Sequence, residues 1–422
     1  MLEIIDYLNS LDSNSIEINF SSKNLTELPD LSRFKKLNYL YCNNNNLISF
    51  PDLNDDLKVL DCAHNKLTSL PGLNDKVFSI YCYYNQLTFL PHLNNNLKEI
   101  YCNNNQLTSL PPLNHNLETI YCNNNQIIFL PSLNHNLERL FISNNNLISL
   151  PPLNHNLKKL YCYNNKITSL PALNDYLITL DCSINQLTSL PNLNNLISLE
   201  CSNNQLTSLP SLNENLNELW CNNNQLTCLP VLNDKLSLLK CSNNKFTFLP
   251  DLNNLILLEC SNNQLTYLPP LNHNLTKLYC NNNQLTSLPA LNINLIILEC
   301  SNNQLTFLPP LNDNLNILNC SHNKITFLPP LNKKLMHLVC LNNIICEIIG
   351  NITINNKDKI NKWNHFREFY FLSKLRKKFI SWMWKSRETK IKELCNPIHL
   401  QNIINKDSEY FHNFLDSFGI YN

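Results

Sequence analysis

Glycine is almost missing from this 422-residue chain, and its scarcity excludes whole classes of chemistry. The only three, Gly72, Gly350 and Gly419, lie too far apart to build a G-x-x-x-x-G-K-S/T loop, a G-x-G-x-x-G loop or a G-x-S-x-G elbow. Nucleotide phosphates therefore find no glycine cradle, and the hydrolase nucleophile turn has no place to form. The zinc-protease pattern H-E-x-x-H is absent, and none of the 18 cysteines falls in a C-x-x-C pair. No apolar run approaches the roughly 18 residues that span a bilayer. Met1 to Asp12 carry no basic segment and no long apolar core, so no signal peptide is expected, and the thiols should sit in a reducing compartment. Net charge is also lacking: Lys+Arg and Asp+Glu both number 32, leaving no broad field for nucleic acid or anionic membrane. The charge is uneven, however. Residues 344–422 hold 13 Lys/Arg against 8 Asp/Glu, so the remainder is mildly acidic.

What the chain has in abundance is a repeat. Cysteine recurs from Cys42 to Cys122 and from Cys162 to Cys340 in steps of 20, apart from two steps of 19. Ile142 fills the one gap, and Phe20 begins the series 22 residues before Cys42. One unit has the form L-x-x-L-x-C-x-x-N-x-L-T-x-L-P-x-L-N-x-N. In Leu157 to Cys162, alternation predicts a strand with Leu160 and Cys162 inward and Lys159 and Tyr161 outward. Asn stands three residues after each repeat cysteine, from Asn45 to Asn343, where its amide can satisfy backbone groups and form a ladder between turns. Proline in the middle of the return path disfavours a helix there, so that side should be extended. The two 19-residue units lose their residue on this path, between Pro191 and Leu196 and between Pro250 and Leu255.

The first part of the unit resembles the leucine-rich-repeat consensus over roughly residues 16–345. The short Leu-Pro-rich unit is similar to the 20-residue repeats of bacterial effector proteins. The Asn-rich bias and the tail also look like leucine-rich-repeat proteins of giant DNA viruses of amoebae. The resemblance implies a solenoid of about 17 units, with a curved parallel β-sheet on the concave side, an extended or polyproline-like convex side, and helical caps at both ends. Residues 1–15 are then an N-terminal capping helix carrying Leu2, Ile4, Ile5, Leu8 and Leu11, residues 16–345 the repeats, and residues 346–422 a helical basic tail. In that tail Ile360, Trp363, Phe366, Tyr370, Phe379 and Trp382 or Met383 suggest an apolar stripe.

Several groups invite chemistry, and each has a plainer explanation. The cysteine ladder fits small buried hydrophobes better than a metal or redox site. His115, His135 and His155 recur in successive loops, but other units place Asp, Glu, Asn, Ile or Lys there, as at a solvated position. Cys395 has His399 four residues on, yet Pro397 between them disrupts helical facing. The tail from Lys374 to Lys392 has eight Lys/Arg and one Glu among Phe379, Trp382 and Trp384. Such a segment can touch acidic lipid or nucleic acid, but a capping helix with a solvated basic face is favoured.

The outward column just before each repeat cysteine is the informative surface. Tyr81, Tyr101, Tyr121, Phe141 and Tyr161 make an aromatic strip about 20 Å long at strand spacing. Glu99, Arg139 and Lys159 flank it, Tyr83 and Tyr163 extend it, and Trp220 stands further along. Aromatics among charges are typical of protein-recognition surfaces, although a ring ladder also steadies a sheet by itself. The expectation is a scaffold that binds a protein partner through its concave face, with no enzymatic activity, cofactor, metal or small-molecule substrate, located inside cells, in a host cytoplasm. One alternative is an effector or substrate adaptor linked to host ubiquitination or signalling. The tail is too short for the ligase domain that bacterial effectors can carry, and no F-box-like block precedes the repeats. The other alternative is a structural or particle component.

Overall fold

In the computed structural model the chain divides into two units, Met1–Asn355 and Asn356–Asn422. The structure describes residues 2–350, 352, 360, 362–364, 376–378, 380–382 and 385. The first unit opens with helix α1, Leu2–Ser10, and continues into 17 strands of three residues each, from Glu17–Asn19 to His337–Val339. Each strand pairs in parallel with its sequence neighbours, so that Lys159, Leu160 and Tyr161 lie against Thr179, Leu180 and Asp181 of the next turn. One coil of chain thus adds one strand to a single sheet.

Alternation decides which side is the core. The middle strand residue and the cysteine after it point inward: Leu160, Cys162, Leu180 and Cys182 are all buried. Leu157 and Ile167 close the same coil from the return path, also buried. Full burial of one such side chain stabilises by about 1.5–3 kcal/mol, but only when neighbouring coils cover it, so no coil is stable alone. Among the described residues no helix lies between Ser10 and Ile344, as proline on the return path requires.

Asparagine supplies the polar framework. Asn105 is representative: its Nδ2 donates to the carbonyls of Cys82 and Cys102, both at 3.0 Å, and its Oδ1 accepts the Leu87 N–H at 3.0 Å. The same bonds recur from Asn65 to Asn343 and stitch each coil to the one before. In the first coil Lys23 stands in this place, and its N–H instead donates to Asn45 Oδ1 at 3.0 Å. A second row runs along the return path, where Asn114 Nδ2 donates to the Asn94 carbonyl at 2.6 Å and the Leu97 carbonyl at 2.9 Å.

The residue two after each cysteine, or after Phe20 and Ile142 in its place, turns the chain out of the strand with positive φ, between 50° and 59° in every coil. Asparagine tolerates this left-handed conformation and fills most of the positions. Ile184, at φ 50°, is the β-branched exception. The two 19-residue units absorb their deletion with further left-handed asparagines, Asn194 at 41° and Asn253 at 39°.

At the N-terminal end α1 buries Ile4 and Leu8, and Tyr7 meets Phe20 edge-on at 5.9 Å. The Arg33 guanidinium donates to the Leu8 carbonyl and lies 4.6 Å from the centre of the Phe34 ring. Ile5, grouped with the apolar positions by spacing, faces outward and is exposed. After the last strand a short helix, α2 (Ile344–Ile349), ends at Gly350 with φ 82°. In the second unit the described residues 360, 362–364, 376–378, 380–382 and 385 are helical. Ile360 is buried and Trp363 half-buried, whereas Trp382 is exposed and so does not belong to a buried stripe. Phe366, Tyr370, Phe379, Met383, Trp384, Cys395 and His399 lie outside the described residues.

Candidate interaction face

Parallel register carries the outward residues of successive strands into columns. Tyr81 pairs with Tyr101, Tyr101 with Tyr121, Tyr121 with Phe141 and Phe141 with Tyr161. Their rings stack face to face, with centroids 4.6, 4.8, 4.0 and 4.8 Å apart and planes within 13° of parallel. That spacing is the interstrand distance, so the sheet dictates the stack. The strip expected to be exposed is half-buried instead, because each ring covers the face of the next. What meets solvent is a ridge of ring edges, tipped with hydroxyls at four positions and bare at Phe141.

Burial raises the Tyr101 phenol to about 12, with Glu99 and the neighbouring tyrosines adding to the effect. Tyr161 is raised too, by burial first and Asp181 second. These hydroxyls keep their protons at any physiological pH and serve as donors along the ridge. An aspartate borders each end, Asp61 beside Tyr81 and Asp181 beside Tyr161. Each accepts a backbone N–H two residues on, from Ala63 at 3.1 Å and Ser183 at 3.0 Å. Burial nevertheless pushes both carboxyls above their usual range.

Arg139 and Lys159 are exposed on adjacent strands beside Phe141 and Tyr161. Trp220 is separate: it lies three strands beyond Tyr161, and the Lys240 ammonium sits 4.5 Å from its ring centre. Lys240 also reaches Glu259 at 3.4 Å. Tyr83 turns away from the strip and meets His64 and Tyr84 edge-on, while His64 and Tyr84 stack at 4.5 Å. That cluster escaped sequence reasoning, because two of its members stand at the left-handed position usually held by Asn. Tyr163 accepts from Asn144 Nδ2 at 3.4 Å and does not join the stack.

The repeat cysteines are buried free thiols. Burial pushes Cys221 and Cys280 to about 12, which leaves them protonated and poor nucleophiles. Among the described residues no group of three or more His, Cys, Asp or Glu side chains is placed to hold a metal ion. His115, His135 and His155 are exposed. No helix among the described residues is long and apolar enough to cross a membrane.

A one-sheet solenoid with buried Leu and Cys rows, an asparagine ladder and an open sheet face defines a solenoid repeat protein. The profile of "Leucine Rich repeats (2 copies)" matches residues 135–175. The chain is similar to YopM from Yersinia enterocolitica WA-314, at 30% identity and TM-score 0.60 over 80% of this chain and 89% of that one. It is similar also to YopM from Yersinia pestis, described as a leucine-rich effector protein, at 32% identity and TM-score 0.57 over 78% and 88% of the two chains. InlJ from Listeria monocytogenes, whose functional domain includes a cysteine ladder, matches at 25% identity and TM-score 0.51 over 75% and 69%. No curated protein sequence matches. The chain belongs to the leucine-rich-repeat proteins, with units of about 20 residues. A solenoid of this kind is generally a non-enzymatic binding scaffold.

Proposed function

We propose that this chain is a protein-interaction scaffold, without enzymatic activity, that holds a macromolecular partner on its sheet face. The observation that carries the reading is the continuous stack from Tyr81 to Tyr161. Five rings held rigid by one another lose little freedom on binding, which favours an anchor of this kind. Arg139 and Lys159 supply charged contacts beside it, and Trp220 a second aromatic contact farther along. The test is affinity purification with mass spectrometry from the native host. The Tyr101→Ser, Tyr121→Ser, Tyr161→Ser triple variant should lose the partner while melting as a folded protein. Undiminished recovery by the variant sinks the reading.

The likeness to a protein described as a leucine-rich effector supports a narrower version. In it the scaffold acts inside a host cell and recruits a signalling or ubiquitination component. Partners recovered in the same purification decide between the two.

A further inference from the structure

The outward columns change character after Tyr161. From Thr179 to Asn319 the first column presents Leu238, Leu257, Ile297 and Ile317, half-buried and interrupted by Lys277. The second column, two residues further along each strand, holds Asp181, Glu200, Glu259 and Glu299. Glu218 adds a carboxylate to the first column, and the only cations in the two columns over this stretch are Lys240 and Lys277. Lys240 is already engaged by Trp220 and Glu259. Asp181 and Glu200 share strands with Thr179 and Ser198, and beside the aliphatic stretch the second column reads Lys240, Glu259, Tyr279, Glu299 and Asn319. The face is therefore an aliphatic stripe with carboxylates at its near end and along its flank, five against two lysines.

We infer that this part of the sheet receives a basic amphipathic helix of a protein partner, lying across the strands. The inference rests on the reading of the sheet as the partner-binding face, but uses different residues. Charge complementarity selects a basic occupant. Burial holds protons on Asp181 and Glu200 more tightly than water would, and a partner's cation relieves that penalty.

Spacing selects a helix. Successive coils lie about 4.8 Å apart. A helix rises about 5.4 Å per turn, so its stripe falls out of step by only about 0.6 Å per coil. An extended strand repeats its face every ~6.8 Å and is out of step by about 2 Å per coil. The two columns stand about 6.7 Å apart along the strand, which suits an apolar stripe and the basic flank of one helix. Lys277 requires an acidic or small residue opposite it.

The test uses the full chain and fluorescein-labelled peptides of about 18 residues, five helical turns. One places Leu on a single helical stripe with Lys on the flank. A second replaces Lys by Glu, and a third shuffles the first so that the stripe is lost. By anisotropy at ~150 mM salt the first should bind at least roughly ten-fold tighter than the others. The Asp181→Asn, Glu200→Gln, Glu259→Gln, Glu299→Gln variant should weaken it about ten-fold. The Tyr101→Ser, Tyr121→Ser variant, which spares Tyr161 beside Asp181, should leave it within about two-fold, because both positions stand three or more strands from Asp181 and distant independent sites do not couple.

Amide-exchange protection confined to Thr179–Asn319 completes the expected result, with both variants checked for cooperative melting as folded proteins. Equal binding of the shuffled peptide, or undiminished binding by the neutralised variant, overturns the proposal. So does protection elsewhere, or loss of binding with the tyrosine variant alone, which assigns the peptide to the aromatic strip. Self-association that the neutralised variant abolishes also overturns it, by making a second copy of this chain the occupant. Loss of the cellular partner by the triple tyrosine variant, with peptide binding by the double variant intact, upholds both readings, whereas peptide failure with partner binding intact sinks this one alone.

Discussion

Replacing Ile184 by asparagine should make the protein more stable, although it removes an aliphatic side chain. Ile184 holds φ at 50°, the conformation that asparagine adopts in most other coils. For a β-branched residue the left-handed region costs about 1–2 kcal/mol. Ile184 is 47% exposed, so its truncation forfeits about half of a full side-chain burial, roughly 1 kcal/mol. Asparagine recovers more than that. It lifts most of the strain and can continue the amide row in which Asn164 Nδ2 donates to Asn144 Oδ1 at 2.7 Å, a bond of about 1 kcal/mol. The balance is a gain of about 1 kcal/mol, read from the urea midpoint at constant slope. Ile184→Ala sharpens the test, because alanine loses the burial, keeps most of the left-handed penalty and adds no amide. It should destabilise by up to about 1 kcal/mol. Equal shifts for the two substitutions, or a loss with asparagine, refute the reasoning.

Asn165→Ala removes bonds to the Ile142 carbonyl at 3.1 Å, the Cys162 carbonyl at 3.0 Å and the Leu147 N–H at 3.0 Å. With these groups left buried, a loss of about 3 kcal/mol is expected, with faster exchange at the Leu147 amide; a loss under ~1 kcal/mol contradicts the ladder's role. Glu200 is raised to about 7 by burial first and Asp181 second, against the lowering effect of Lys240. The folded state then binds more protons than the unfolded one between the ordinary glutamate value and 7. Wild-type stability should therefore fall as pH rises through that window, relative to Glu200→Gln, and parallel pH profiles contradict the shift. In the native protein iodoacetamide should modify exposed Cys228 well before the buried ladder cysteines, as peptide mapping by mass spectrometry will record; early labelling of Cys162 or Cys221 contradicts their burial.

The solenoid was legible because a fixed cysteine spacing, combined with alternation, determines which side chains lie inside. The asparagine after the strand was legible for the same reason. The return-path row through Asn94 and Asn114 was not, since in an asparagine-rich unit several columns look alike until dihedral angles assign their amides. The aromatic column followed from alternation, and so did Trp220 within it. That the rings cover one another, turning an exposed strip into a half-buried ridge, depends on side-chain rotamers that periodicity does not carry. Nor does residue type alone mark Ile184 as strained, because the strain belongs to the position and not to the isoleucine.

The ladder bonds between coils join a residue to one 17 to 23 positions away in the adjacent coil, and they do not skip a turn. A coil therefore meets the same donors and acceptors whichever neighbour it is given. Excising one whole turn, or duplicating one, would reconnect the ladder without a mismatched group. The length of the sheet face can thus change by a single strand width at a time, with no redesign of the interior.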